Sequence, residues 1–356
     1  MFRKSPLQDR RGSMANSGRD RQYEEDIVIT SRVRMARNLE EYPFPAKIDA
    51  KQSERLINTI KDTVFDKKGD MADRFLYFNI PNLSPIDKMI LVEKHLISKE
   101  LVESRRLSGA MISKDEKISI MVNEEDHLRI QSLMHGMMLD EALDVCNDMD
   151  DFLDKKIDFA FNDRLGYLTS CPTNIGTGIR ASVMMHLPAI VMTGYVRGIL
   201  EACSKVGITI RGLYGENTEA TGNLFQVSNQ VTLGMSEEEI ISNLKNIVRQ
   251  IIEQELVLRD DLYKQNTYMF EDKLFRSLGI LRSARIISSE ESLKLLSDVR
   301  LGIDMGIIKD VKIDTINVLS TIIQPGSLQS ILGSNLGNME RDVGRAEILR
   351  TKLRND

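Results

Sequence analysis

The chain has 356 residues, 42% apolar and 28% charged, with 48 Lys+Arg against 53 Asp+Glu for a formal net charge of -5. This is globular composition, enough for one large domain and a smaller one, and it excludes a disordered chain, a collagen-like rod and a bulk positive field for nucleic acid. Cys146, Cys171 and Cys203 lie far apart without CxxC spacing. They suggest neither a disulfide framework nor a zinc site, no metal ligand set is expected, and a reducing cytoplasm fits.

Residues 1–25 carry Arg3, Lys4, Arg10, Arg11, Arg19 and Arg21 among polar residues. Without the apolar core of a signal peptide they read as a flexible leader. The most apolar stretch, Val183 to Val191, is broken by His186 and Pro188, so no membrane span is expected.

Runs rich in β-branched and aromatic residues predict strands at 26–30, 75–80, 118–122, 167–170, 208–213 and 224–232. Length and spacing predict helices at 51–67, 84–105, 127–154 and 181–204. No regular βαβ alternation or Gly-rich strand-to-helix turn occurs, so the expected class is α+β with a mainly antiparallel sheet flanked by helices. Ser236 with Glu239 forms a capping box opening a helix that carries Ile240, Leu244, Ile247, Val248, Ile251 and Ile252, and Ser288 with Glu291 opens another. Strand signals stop there. The expected organisation is a leader over 1–25, a catalytic domain over 26–258 and an all-α domain over 259–356.

No P-loop, GxGxxG or protein-kinase HRD/DFG set is present. Four other segments concentrate chemistry. In Thr30-Ser31-Arg32-Val33-Arg34, an extended backbone puts Arg32 and Arg34 on one face, as an anion clamp or simply as solvated basic residues. In Asn123-Glu124-Glu125-Asp126-His127-Leu128-Arg129, three successive carboxylates mark either a helix start or a cation site. In Cys171-Pro172-Thr173-Asn174-Ile175-Gly176-Thr177-Gly178-Ile179-Arg180, small residues let backbone amides approach an anion ahead of a helix, with Arg180 at its start. Cys171 by itself reads as a small buried hydrophobe. The fourth, Arg211-Gly212-Leu213-Tyr214-Gly215-Glu216-Asn217-Thr218-Glu219, is a surface loop or a closing flap.

The ordered set SRVR, NEEDHLR, CPTNIGTGIRASV and RGLYGENTE resembles the phosphagen (guanidino) kinases. The pattern is most similar to their protein-arginine branch, the McsB type, over about residues 26–356. Three features favour that branch. Only about thirty residues precede Ser31, where the small-substrate kinases have a helical domain; Tyr214 stands where those kinases usually carry arginine; and the helical tail contains Arg341-Asp342-Val343-Gly344-Arg345-Ala346, an RDxxRA motif.

The resemblance implies transfer of the ATP γ-phosphoryl group to arginine of proteins, with Mg²⁺, on a phosphagen-kinase-like domain followed by a helical domain. It implies Glu125 as clamp and general base, and a second acid from Glu216 or Glu219, with Glu216 ahead. The nucleotide falls to Thr30, Ser31, Arg32, Val33, Arg34, His95, Arg129, Arg180, Ala181, Ser182, Val183 and Met184, and to the block Arg211, Gly212, Leu213, Tyr214, Gly215 and Glu216. Arg341, Asp342, Arg345 and Ala346 are implied to bind phosphoarginine, although Arg341 and Arg345, four apart, also suit an ion-paired helix surface. His127, His135 and His186 are left structural. Further implications are allosteric control, a homodimer, a zinc-binding McsA-like activator, a ClpC-ClpP type protease and a heat-shock repressor in the stress response. The alternatives are a kinase for free arginine or another small guanidino compound, and a catalytically weak phosphoarginine-binding adaptor.

Overall fold

The computed structural model describes residues 24, 26–66, 71–212, 220–333 and 336–354. The leader reading therefore falls almost wholly outside the described residues. Eight strands form one sheet: β1 Val28–Arg37, β2 Phe75–Asn79, β3 Gly109–Ser113, β4 Ile118–Val122, β5 Leu128–His135, β8 Ile179–His186, β9 Ile208–Gly212 and β10 Leu224–Asn229. A two-residue pair, β6 Phe161–Asn162 and β7 Gly166–Tyr167, stands apart. The large sheet runs β2-β3-β4-β5-β1-β8-β10-β9, and every neighbouring pair is antiparallel.

Alternation decides what each face of this sheet does. Val33, Met35, Ile130, Ala181, Val183, Met185, Phe225 and Val227 are buried on one face. They belong to the core closed by α4, Leu139–Asp154, and α7, Glu237–Gln265. Their neighbours in sequence, Arg32, Arg34, Arg129, Gln131, Arg180, Met184 and Gln226, necessarily take the other face, because successive strand side chains alternate.

Helix α1 is Ala50–Val64, started by a capping box between Asp49 and Gln52. The helix expected over 84–105 is two, α2 Pro85–Glu93 and α3 Lys99–Glu103, broken where His95 turns to φ 59°. Two larger expectations are corrected. The first half of the 127–154 helix is β5, whose Arg129 and Gln131 alternate with buried Leu128 and Ile130; only Leu139 onward is helical. The start of the 181–204 helix is β8, followed by α5 Pro188–Met192 and α6 Val196–Lys205. Strand β3 carries no alternation because all five of its residues are buried, and the strand expected at 167–170 contributes only Tyr167.

The Ser236–Glu239 capping box holds in both directions, and Ser288 Oγ accepts from the Glu291 amide. Helix α7 runs unbroken across residue 258, lending Ile240 to Ile252 to the first core and Tyr263 to a second. That second core is built with α8 Thr267–Ser283, α9 Ser289–Asp304, α10 Ile313–Ile322 and α12 Asn338–Arg354. Short α11, Pro325–Leu332, docks on α2: Glu93 accepts from the Gly326 and Ser327 amides at 2.6 and 2.8 Å. A Cβ on Gly326 would meet Met89 Cβ at 2.7 Å, so glycine is needed for that approach.

Candidate active site

On the open face of the sheet, β1 lies between β5 and β8. Arg34 is directly opposite Arg180, Arg32 opposite Ser182 and Thr30 opposite Met184. Arg129 arrives from β5 and Arg211 from β9, where it pairs with Gln226. A cavity of about 510 Å³ is lined by Arg32, Arg34, Arg129, Arg180, Arg211 and Glu125, with Glu124, Ser98, Glu100, Arg106, Gln226 and Ser228 completing the wall. Described residues from each of the four separated segments thus meet in one place, the fourth through Arg211.

The NEEDH turn explains which of its acids is presented. Asn123 takes φ 62°, and its side chain donates to Leu107 O and Ser53 Oγ. Glu124 is 2% exposed, bonded to Ser98 Oγ and paired with Arg129 at 2.8 Å. Asp126 accepts from Asn38 and from the Ser170 amide, while His127 Nδ1 accepts from the Leu39 amide. Glu125 alone remains 45% exposed at the cavity, 3.3 Å from Arg129. Burial raises its pKa above the ordinary carboxylate value, against the opposing pull of Arg129. The three carboxylates therefore belong to a strand-to-strand turn, and the helix-start reading is corrected.

The arginines are crowded and dry. Burial, then Arg129 and Arg180, push the Arg32 guanidinium down to about 10; burial, then Arg32, Arg129 and Arg180, lower Arg34 well below its ordinary value, and burial followed by Arg211 and Arg129 lowers Arg180. The Nε atoms of Arg34 and Arg180 are buried with no hydrogen-bond partner among the described residues. Like charges brought together without acceptors are unfavourable on their own, and a polyanion relieves both costs. His95, pushed down to about 4 by burial and by Arg32, is neutral near pH 7. It lines a second cavity of about 750 Å³ that shares Arg32, Arg34 and Arg129 with the first.

Several expected site residues do not face this space. Ser31, Val33, Ala181 and Val183 are buried on the opposite side; Ser31 Oγ donates to Gly136 O and accepts from the Met138 amide. Their contribution is to fix the strands between the arginines. The Gly176–Gly178 turn precedes a strand rather than a helix, which corrects the anion-nest reading. A Cβ on Gly178 would lie 2.6 Å from Ala36 O, so its glycine serves close packing against β1. Cys171 is partly exposed, not buried, with Sγ 3.0 Å from Thr173 Oγ1. Gly212 ends β9, whereas Leu213, Tyr214, Gly215, Glu216 and Glu219 lie outside the described residues. Gln131, Gln226 and Ser228 were missed, although each sits two residues from another inward-facing position of its strand.

The RDVGRA segment lies on α12, remote in sequence from these strands. Arg345 is 2% exposed; its Nε donates to Ile323 O and its Nη1 to Ile287 O, both at 2.9 Å, and it also pairs with Asp342. Arg341 bonds Asn338, and Ala346 is fully buried in the helical core. Arg345 is thus a cross-brace between three chain segments. Arg345→Ala should destabilise the fold by about 1–3 kcal/mol, by leaving the buried Ile287 and Ile323 carbonyls unpaired. Urea denaturation checks this, and an unchanged midpoint would contradict the brace.

Among the described residues, no helix is long and apolar enough to cross a membrane, and no group of three or more His, Cys, Asp or Glu could hold a metal ion. Residues 55–258 match the family model for the ATP:guanido phosphotransferase C-terminal catalytic domain, and residues 267–356 the model for the protein-arginine kinase McsB C-terminal domain. A protein-arginine kinase of Caldanaerobacter subterraneus is 46% identical over 93% of this chain and 98% of its own length. One from Clostridium kluyveri is 48% identical over 92% and 94%.

The chain belongs to the protein-arginine kinase family.

A third relative, the protein-arginine kinase of Geobacillus stearothermophilus, is 47% identical over 92% of this chain and 91% of its own. Among solved structures, the substrate-free duplicated taurocyamine kinase of Schistosoma mansoni aligns with TM-score 0.60 and 27% identity over 79% of this chain, which spans 41% of that longer protein. A lombricine kinase, at TM-score 0.57 and 24% identity over 66% of this chain and 67% of its own, shares the fold.

Proposed function

We propose that the arginine-lined cavity transfers the γ-phosphoryl group of ATP to the guanidinium of arginine in proteins. The observation that carries this is a single cavity in which Arg32, Arg34 and Arg180, all desolvated, meet Arg129, Arg211 and the exposed carboxylate of Glu125. The arginines hold the phosphates and spread the charge of the transferring group. Mg²⁺ supplies further neutralisation of the β- and γ-phosphates. The cavity is a cationic nest rather than a carboxylate cage, so the ion would be held chiefly by nucleotide and water, with the exposed lining carboxylates Glu100 and Glu125 nearest to it.

Guanidinium is protonated at neutral pH, so its nitrogen attacks only when its charge is held and a proton can leave. Glu125 accepts hydrogen bonds from the acceptor guanidinium and takes the N–H proton as the N–P bond forms and the bond from phosphorus to the ADP oxygen breaks. Glu216, or Glu219 behind it, completes the grip from the loop after β9. The partial exposure of Glu125 supports an arginine offered on a protein surface.

Residues 26–258 and 259–356 act as two units, the second binding phosphoarginine through Arg341 and Asp342, with Arg345 and Ala346 holding that helix turn in place. A homodimer, a zinc-binding McsA-like activator, ClpC-type proteolysis, a heat-shock repressor and a cytoplasmic setting follow from family resemblance. Incubation with MgATP and an unstructured arginine-rich protein should give acid-labile phosphate on arginine, far faster than transfer to free arginine. Phosphate on serine or threonine alone would overturn the reading, and preference for free arginine would favour the small-guanidino kinase.

A further inference from the structure

Beside the presented Glu125, its neighbour Asp126 is buried at 1% exposure, and both bonds of its side chain converge on one oxygen. Oδ1 accepts from Asn38 Nδ2 at 2.7 Å and from the Ser170 amide at 2.6 Å. Oδ2 is buried with no hydrogen-bond partner among the described residues. Asn38, also 1% exposed, uses both ends of its amide. Its Oδ1 accepts from the His127 amide at 2.9 Å, and its Nδ2 donates to Leu168 O at 3.0 Å as well as to Asp126. The pair therefore ties together three segments far apart in sequence: the residue after β1, the turn between β4 and β5, and residues 168–170.

Residues 168–170 lead directly into Cys171, Thr173 and Asn174. Thr173 and Asn174 line a cavity of about 100 Å³ with Arg180 and Arg211, two arginines that also line the Glu125 cavity. The two spaces thus adjoin, with the Glu125 turn at one and the 173–174 segment at the other. Beyond Asn174 that segment is fastened separately: Thr232 Oγ1 lies 2.7 Å from Ile175 O, and Arg37 Nη1 donates to Thr177 O at 2.9 Å. Its near end is joined to the Glu125 turn through Asp126 and Asn38. The cationic clamp needs no such tie, because Arg32, Arg34, Arg180 and Arg211 sit within strands whose ladders hold them. A buried and directional network fixes a distance that no ladder reaches.

We propose that Asn38 and Asp126 are positioning residues for phosphoryl transfer, holding Glu125 and the segment 168–174 at a fixed separation about the acceptor guanidinium, with no part in nucleotide binding. The proposal rests on the reading of Glu125 as the group that grips the acceptor. Neither residue touches the acceptor itself. Their effect comes through Glu125, where a misplacement of about 1 Å can cost about 10²-fold in rate.

Asn38→Asp keeps the acceptor for the His127 amide and replaces the donor with a carboxylate oxygen facing Asp126. It should lower kcat for a protein acceptor by about 10²-fold, with KM for that acceptor and the affinity for MgADP each within about threefold. Adding Asp126→Asn to the same chain returns a donor to the pair and should recover about tenfold of the loss. Ser170→Pro, at an exposed position, withdraws the amide from Asp126 without altering a buried side chain, and should reproduce the fall in kcat. Steady-state kinetics with an unstructured arginine-rich protein, paired with calorimetric titration of MgADP, reads these out. Unchanged kcat in both single variants, a loss of MgADP affinity as large as the loss of kcat, or a double variant no better than Asn38→Asp would overturn the proposal while leaving the wild-type protein a kinase. A wild-type protein that phosphorylates no protein arginine would instead overturn the kinase reading, and this one with it.

Discussion

Glu125→Gln should lower kcat for protein-arginine phosphorylation by about 10²–10⁴-fold, the usual worth of a positioned general base. MgADP affinity should stay within a few-fold. The amide keeps the shape of the side chain and loses both the negative charge that holds the guanidinium and the site that takes its proton. Glu125 is the one carboxylate of its turn left unburied, so no structural bond of the kind made by Glu124 or Asp126 is broken. The pH profile gives a second signature. Burial raises the Glu125 pKa, so on acidification it takes up its proton at a higher pH than an ordinary glutamate, and the active form is the deprotonated one present above that point. The acid limb of kcat/KM, which reports the free enzyme, should therefore lie above the ordinary value of 4.5, and it should vanish from the residual activity of Glu125→Gln. Steady-state kinetics from pH 5 upward checks both, and an unaltered limb in the variant would assign the proton elsewhere.

Arg180→Ala should cost about 10²–10³ in kcat/KM, comparable with removing one donor from a preorganised anion hole. Arg180 faces Arg34 across β1 and β8, its Nε is buried without a partner among the described residues, and it adds to the repulsion that depresses Arg32 and Arg34. An arginine that pays for its position in repulsion gives the empty site a distinctive response: activity falls while the unfolding midpoint stays or rises. Arg180→Lys restores charge without the planar fork and should recover only part of the loss. Kinetics paired with thermal unfolding reads this out. A loss of activity that tracks a loss of stability would make Arg180 structural.

Residue chemistry made the cavity legible before its architecture was. Arg32 and Arg34 share a face at any extended spacing, and NEEDHLR is too acidic to be ordinary core. Family resemblance named Glu125, but composition alone did not separate it from Glu124, because the two differ only in which way a turn at Asn123 points them.

Strands β5 and β8 hid for a related reason. Their site-facing residues, Arg129, Gln131, Arg180 and Ser182, combine with apolar neighbours into runs that merge with the helical segments after them. The antiparallel class was still readable from the lack of βαβ alternation. Arg345, implied by the resemblance to bind phosphoarginine, has a buried bracing role that the motif alone did not signal, because its acceptors Ile287 O and Ile323 O are distant in sequence.

Phosphorus NMR of one reaction mixture, wild-type protein or Glu125→Gln with MgATP and an arginine-rich protein, tests the central claim most directly. The account predicts a phosphoramidate resonance that mild acid removes, strong with wild type and nearly absent with the variant. A resonance of equal size in both, or one that survives acid as a phosphate ester, would contradict it.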